Sequence, residues 1–406
     1  MALLTKAKRK RIMKKIVLIF YSILFHLLTT KKNVILFESS NGTNYTGNPK
    51  YIYEYLLKNH NDEFKFVWSL TDKSIEILGN PIKVKKNRLM YFYYTIISGF
   101  WIFDSRHPKH LLKKEKCKYI QTWHGTPLKK LGLDMDYLNM GGNTNIERYK
   151  KNFKDNSSKW DYLISQNHFS SKIFKRAFDF KGTVLEIGYP RNDLLIHQKD
   201  NIKLIEKIKE SFNIPLDKKV ILYAPTWRDN DFYRKGKYKF STEMDFEAME
   251  RELSDEYVLI AKQHYLVSEK SKYNAYSGVI RMFDSKSEIQ DLYLISDILI
   301  TDYSSVMFDY SILKRPMIFY TYDLEAYKDN IRDFYFDINE EAPGLIIREN
   351  KELIKVLKDF DENKYLKSFE EKYKKFNEKY NQYDDGNASK KIYDLIKNSE
   401  KKASKK

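Results

Sequence analysis

From residue 33 onward the chain alternates short apolar runs with longer polar segments compatible with helix. In the first half the runs are NVILFES (33–39), FKFVWSL (64–70), GFWIFD (99–104), KYIQTW (118–123), DYLISQ (161–166) and TVLEIG (183–188). In the second half they are KVILYAPT (219–226), YVLIAKQH (257–264), VIRMF (279–283), DILITD (297–302) and PMIFY (316–320). Strands buried on both faces read as continuous apolar runs rich in β-branched and aromatic residues, and the spacers leave room for crossover helices. The fold class predicted is α/β, with two doubly wound Rossmann-like domains facing each other across a cleft. A charged helical segment at 198–211, followed by Asn213, Pro215 and Asp217, separates the halves. The expected division is a basic and apolar segment at 1–32, Rossmann-like domains at 33–200 and 201–380, and a C-terminal helix with a basic tail at 381–406. No repeat of solenoid period is present.

Charge sharpens this picture at the two ends. The net charge is +18, and the seven cations within residues 1–15 together with the Lys-rich tail at 390–406 supply twelve of it. The middle of the chain is only mildly basic, which disfavours a nucleic-acid groove through the fold. Behind the basic start lies IVLIFYSILFHLLTT (16–30), too short to span a bilayer and without a good signal cleavage site. It predicts a helix lying on an anionic membrane surface, with a docking helix of the core as the competing reading. A second segment, KVKKNRLMYFYYTIISGFWIF (83–103), suits membrane contact or a core helix followed by a strand equally well. The one cysteine, Cys117, permits no internal disulfide and predicts a reducing, cytoplasmic location.

Ligands of open parallel sheets bind beyond the carboxyl ends of the strands, so the residues that follow each run are the candidates for chemistry. KYIQTW leads into His124, Gly125, Thr126 and Pro127; TVLEIG into Tyr189, Pro190 and Arg191; KVILYA into Pro225, Thr226, Trp227 and Arg228. YVLIA leads into Lys262, Gln263 and His264, and DILIT into Asp302, Tyr303, Ser304 and Ser305. Five strand ends drawn from both halves thus carry side chains that bind and transfer phosphate. His124 suits general-base work, Gly125 admits a close ligand, and Pro127 suits a helix's first turn. Asp302 or Ser304 can cap the following helix, whose free N–H groups favour an anion, while Asp309 one turn further in reaches a sugar hydroxyl or solvent. Arg191 and Arg228 can neutralise a pyrophosphate or pair with Asp193 or Asp229. The pairs Asp134/Asp136 and Asp229/Asp231 end no strand and are read as incidental rather than metal-binding. No phosphate-binding P-loop and no dinucleotide glycine fingerprint is present.

Taken together, QTWHGTPLKKLGLD (121–134), GYPRND (188–193), YAPTWRD (223–229), the stretch from LYLISDILITDYSS to DLEAY (292–327), RDFYFD (332–337), EAPG (341–344) and DDGNAS (384–389) resemble the CDP-glycerol glycerophosphotransferase family of teichoic acid synthesis. The resemblance implies a GT-B fold at the cytoplasmic face of the cell membrane. It implies transfer of glycerol phosphate from CDP-glycerol to a lipid-linked, undecaprenyl-type acceptor with release of CMP. Domain 33–200 would take the acceptor and 201–380 the CDP-glycerol. His124 would be the base and His264 would assist; Trp123, Gly125, Thr126, Pro127, Arg191, Pro225, Thr226, Arg228, Lys262, Gln263, Ser304, Ser305 and Asp309 would line the CDP-glycerol site. No cofactor is required, with Mg²⁺ left open. Tyr265, where many members have Pro, is a departure in the local loop. A ribitol phosphotransferase of the same family, a nucleotide-sugar glycosyltransferase, and a non-catalytic membrane-docking protein are the competing readings.

Overall fold

The computed structural model describes residues 6–137, 145–226, 232–234, 237–238, 243–262, 280–283, 287–325, 327 and 334–404. Seven strands form the first sheet: β1 (Lys31–Glu38), β2 (Lys65–Leu70), β3 (Ile82–Lys85), β4 (Ser98–Phe103), β5 (Lys118–Gln121), β6 (Tyr162–Ser165) and β7 (Thr183–Glu186). Their order is β3-β2-β1-β4-β5-β6-β7, parallel throughout. The second sheet follows β8 (Lys219–Ala224) and a small antiparallel ribbon of β9 (Phe232–Arg234) and β10 (Lys237–Tyr238). It uses β8, β11 (Tyr257–Lys262), β12 (Ile280–Phe283), β13 (Ile298–Thr301), β14 (Met317–Tyr320) and β15 (Leu345–Ile347), in the parallel order β12-β11-β8-β13-β14-β15. Every apolar run named above forms a strand. The edge strands β3 and β15 escape the pattern: β3 alternates lysines with apolar residues and buries only Val84, and β15 has three residues.

In both sheets the chain winds outward for three strands and then returns to the other side of the first. The reversal falls between β1 and β4 in one sheet and between β8 and β13 in the other. Connections on the two sides of such a reversal leave in opposite directions and open a crevice at the carboxyl ends. Helices cover both faces of each sheet, and several begin where Asn or Asp can cap them. Asn145, Asn167, Asn201, Asp245 and Asp361 each accept the N–H of the third residue on. The first core is aromatic: Trp68 and Trp101 are fully buried, and Phe37 stacks on Trp68 at 5.3 Å.

The two ends of the chain both pack on the first sheet's unit. Asp193 accepts hydrogen bonds from Ala388 N–H (3.0 Å) and Ser389 N–H (2.9 Å), fixing the start of the helix Ala388–Ser404. Ile392 and Ile396 of that helix are buried with Ile52, Tyr53 and Leu56. At the other end, the helix Lys6–Leu27 docks through Tyr21, whose hydroxyl donates to Leu112 O (3.0 Å) and accepts from Leu112 N–H (2.9 Å). The opposite face exposes Ile12, Met13, Ile16, Ile19, Phe20, Ile23 and Leu27. No helix among the described residues is long and apolar enough to cross a membrane. The 83–103 segment follows the core reading: it is β3, the helix Leu89–Ile97 and β4, with Phe92, Tyr94, Ile96 and Ile97 buried.

Candidate functional site

A cavity of about 250 Å³ lies where the two strand reversals face each other, lined from the first half by Ser40, Asp104, His124 and Arg191 and from the second by Pro225, Lys262, Glu288 and Ser304. His124 follows β5 after Trp123, whose φ of +52° is left-handed, an uncommon conformation for a residue of that size. Trp123 holds it because its ring packs against Phe178 (4.7 Å), its N–H donates to Gln121 Oε1 (3.0 Å), and Asn48 Nδ2 donates to its carbonyl (3.2 Å). The turn leaves His124 exposed at the cavity and stacked on Trp123 at 4.4 Å.

The protonation of that ring follows from its partner. His124 Nδ1 lies 3.2 Å from the carbonyl oxygen of Asp104, which can only accept, so Nδ1 carries the hydrogen and Nε2 keeps its lone pair. Asp104 is itself held at the reversal: Ser40 N–H donates to both of its carboxylate oxygens (2.9 and 3.0 Å) and Ser105 Oγ donates at 2.6 Å. Burial pushes the Asp104 carboxyl up to about 6. The pKa of His124 is pushed below its ordinary 6.5, first by the enclosing protein and then by Arg191 and Arg106. The result is a neutral imidazole with an acceptor nitrogen in the crevice.

Arg191 is a strut between the halves. Its Nη1 donates to His124 O at 3.0 Å and its Nη2 pairs with Asp309 Oδ2 at 2.6 Å, both side chains being nearly out of solvent. Asn192 Nδ2 donates to Asp309 Oδ1 (3.1 Å) and to Asp384 Oδ1 (3.2 Å). Asp309 therefore touches neither solvent nor the cavity, and it is Asp309, not Asp193, that pairs with Arg191; Asp229 lies outside the described residues. Gly125 lies where the halves meet: an added Cβ would stand 3.0 Å from Ser305 Oγ. Glu288 bridges the same seam, accepting Gly47 N–H at 3.2 Å and pairing with Lys50 at 3.5 Å.

The structure sorts the other expected residues. Pro225, Lys262 and Ser304 line the cavity, and Lys262 Nζ donates to Ser287 O at 2.7 Å. Thr126 and Pro127 are buried beneath it. Thr126 Oγ1 donates to Gln166 Oε1 (2.7 Å) and accepts from Asn167 Nδ2 (3.0 Å), which holds the segment non-helical, so Pro127 opens no helix. The backbone of Thr226 donates to Asp302 Oδ1 at 2.7 Å, and Tyr303 N–H donates to the same oxygen. That carboxylate is thus committed to joining the ends of β8 and β13 and caps no helix. The N-cap of the five-residue helix Val306–Tyr310 is Ser305, without a side-chain bond. Arg228, Gln263 and His264 lie outside the described residues.

Asp104, Ser40 and Glu288 were not singled out in the sequence, although Asp104 directly ends an apolar run and the strand-end rule applied there would have found it. Asp134 pairs with Arg176 at 2.6 Å and accepts from Tyr335 OH at 2.8 Å, and Asp229 and Asp231 lie outside the described residues. Among the described residues no three His, Cys, Asp or Glu side chains gather at metal-binding distance.

Comparison with known proteins bears on this arrangement. The family description CDP-Glycerol:Poly(glycerophosphate) glycerophosphotransferase matches residues 19–398. The teichoic acid glycerol-phosphate transferase of Staphylococcus aureus (strain NCTC 8325 / PS 47) is 43% identical over 370 residues, covering 90% of this chain and 93% of that protein. The teichoic acid poly(glycerol phosphate) polymerase of Bacillus subtilis (strain 168) is 41% identical over 407 residues, 96% of this chain; the chain spans 54% of that relative's length. Solved structures of the wall teichoic acid polymerase TagF superpose closely. One, a histidine variant soaked with CDPG, has a TM-score of 0.87 at 38% identity and covers 99% of this chain and all of that one. With a matched profile over nearly its whole length, the chain belongs to the CDP-glycerol:poly(glycerophosphate) glycerophosphotransferase family.

Proposed function

We propose that the protein transfers glycerol phosphate from CDP-glycerol to a lipid-linked acceptor and releases CMP. The observation that carries this reading is the His124 ring, tautomer-set by the Asp104 carbonyl and presented to a crevice at both strand reversals. A primary hydroxyl of the acceptor loses its proton to His124 Nε2 while its oxygen attacks the glycerol-bearing β-phosphorus. The new P–O bond replaces the pyrophosphate bond, and the departing CMP takes the electron pair. Lys262 and the Ser304 hydroxyl stand on the opposite wall to stabilise charge on the phosphoryl oxygens, and the family motif assigns the same task to Ser305 and His264. The imidazolium formed is steadied by its Nδ1–H bond to the Asp104 carbonyl. Two parallel sheets with the site between their carboxyl ends support the GT-B assignment.

The chain is further proposed to work as a peripheral protein on the cytoplasmic membrane surface. The exposed apolar face of Lys6–Leu27 and the cations at 6–15 support this, since such a helix lies in the interface with its charges on anionic headgroups. CMP release tests the chemistry, with CDP-glycerol, CDP-ribitol and nucleotide sugars as donors and a short-chain lipid disaccharide, with or without one glycerol phosphate, as acceptor. Turnover of CDP-glycerol that is lost in His124→Ala is the expected result, and its persistence in EDTA is expected of a reaction that needs no metal. Turnover of a nucleotide sugar in its place, or turnover indifferent to His124, would overturn the reading.

A further inference from the structure

The two halves meet along a seam with two unlike contacts. One, Arg191 with Asp309, is nearly out of solvent and lies where the chain crosses between the halves: Asp193 follows it directly, and Asn192 joins it to Asp384 of the return crossing. The other sits on the rim of the cavity. There Glu288, the N-cap of the helix Ile289–Ile295 in the second half, accepts Gly47 N–H (3.2 Å) and pairs with Lys50 (3.5 Å) at the start of the helix Gly47–His60 in the first. Ser287, one residue earlier, accepts Lys262 Nζ at 2.7 Å, so the segment that reaches across the seam also fixes the cation opposite His124.

Charge in this rim contact is unbalanced. Glu54, one turn after Lys50 on its helix, and Asp291, one turn after Glu288 on the facing helix, both act on Lys50, so three carboxylates share one ammonium. Glu288 also acts on Arg191, but that guanidinium is committed to Asp309. The rings of Tyr45 and Tyr51 flank Lys50, their phenols kept protonated by burial, and Tyr45 OH donates to Glu54 Oε1 at 2.8 Å. The other charges around the Asp291 helix are turned elsewhere. Asp193 and His197 bind Ala388, Ser389 and Gly386; Lys209 donates to Lys218 O; Lys219 pairs with Glu256; Arg315 holds carbonyls at the helix's far end. The remaining charges on the helix Ile202–Ser211 are exposed. Burial pushes the Asp291 carboxyl up to about 6, with Lys50 opposing and Glu288 and Glu54 adding to the rise; burial likewise raises Glu54. A carboxyl that ionises less readily in the closed seam than in water takes up a proton as the seam closes. Closure therefore strengthens as pH falls through about 6 and weakens as pH rises.

Resting on the glycerophosphotransfer reading above, we propose that Glu288 and Lys50 are positioning residues, forming a clasp that closes the cleft so that Lys262 faces His124, and that the charge on Asp291 sets how firmly it closes. The test uses the full chain with a fluorescent donor and acceptor on Lys58→Cys and Asp255→Cys, exposed positions on opposite halves; Cys117 is buried. Wild-type transfer efficiency should pass between two values as pH rises from about 5 to about 8. Asp291→Asn should keep the acid-side value up to about pH 8, and Glu288→Ala should show the alkaline-side value throughout. In CMP release at about pH 8, Asp291→Asn should raise kcat/KM for CDP-glycerol about threefold and Glu288→Ala should lower it about tenfold. Glu288→Gln, which still accepts Gly47 N–H, should fall between. A gain on removing a carboxylate is a result that a merely structural contact does not give. A wild-type efficiency that ignores pH, an Asp291→Asn protein that titrates as the wild type does, or a Glu288→Ala protein with wild-type kcat/KM overturns the proposal. Failure of the wild type to turn over CDP-glycerol sinks the parent reading instead, and the transfer measurement still decides the clasp.

Discussion

At the scale of single residues the proposed chemistry turns on His124. Replacing it with Ala should lower kcat by about 10²–10⁴-fold, the usual contribution of a positioned general base, with CMP release as the measurement. Its depressed pKa gives the sign of the pH response. A base must be unprotonated, so kcat/KM for CDP-glycerol falls as pH drops through the free-enzyme pKa, and that acid limb should lie below 6.5. A bound pyrophosphate brings negative charge beside the ring and raises the pKa, so the limb in kcat should lie at higher pH than the limb in kcat/KM. Asp104, raised to about 6, titrates nearby. Repeating the profile in Asp104→Asn, which keeps the backbone carbonyl bonded to Nδ1, should leave a His124 limb in place. A kcat/KM limb at or above 6.5 in that variant would contradict the enclosed, cation-flanked setting of the ring.

Among elements, the joint between the halves depends on one buried ion pair. Arg191 sits on the short turn after β7 and Asp309 in the helix after β13, and each is placed by its own strand end. Removing one partner leaves the other charge buried alone, which typically costs about 3–5 kcal/mol, whereas removing both costs less. Asp309→Ala should therefore lower the melting temperature markedly, and Arg191→Leu combined with Asp309→Leu should recover part of the loss in thermal unfolding. Equal effects for the single and double variants would show that the pair is not the strut described. The same interface explains why strand-end logic succeeded only partly. It found Arg191 and Asp309 as unusual residues at the correct ends, because a residue type at a strand end is visible in one dimension. Whether such a residue faces the ligand or its opposite number depends on how the two sheets are set against each other. Thr126 and Asp302 illustrate the point, both at strand ends and both turned inward onto neighbouring strands.

For the molecule as a whole, the exposed face of Lys6–Leu27 predicts where the protein binds. Ile19 and Phe20 are 60% and 59% exposed, so Ile19→Asp combined with Phe20→Asp should abolish sedimentation with anionic vesicles and leave the melting temperature unchanged. Binding that persists would move the membrane contact elsewhere. On the proposed membrane reading, added salt should weaken wild-type binding, because the cations at 6–15 would act through screened attraction to the lipid surface.

What the sequence determined by itself was the alternation of buried strands and crossovers and the strand ends that meet at the candidate site. Buried parallel strands must be apolar along their whole length, and that signal is local. The motifs 121–134 and 292–327 also named the family, because several short segments in a defined order are specific where each alone is not. The edge strands β3 and β15 stayed hidden, since an edge strand needs little apolar surface on either face. Only the tertiary structure decided the tautomer of His124, the inward role of Asp309 and the part played by Asp104. Each of these is a relation between residues from 20 to more than 100 positions apart, written in the packing of two sheets whose relative placement no periodicity along the chain records.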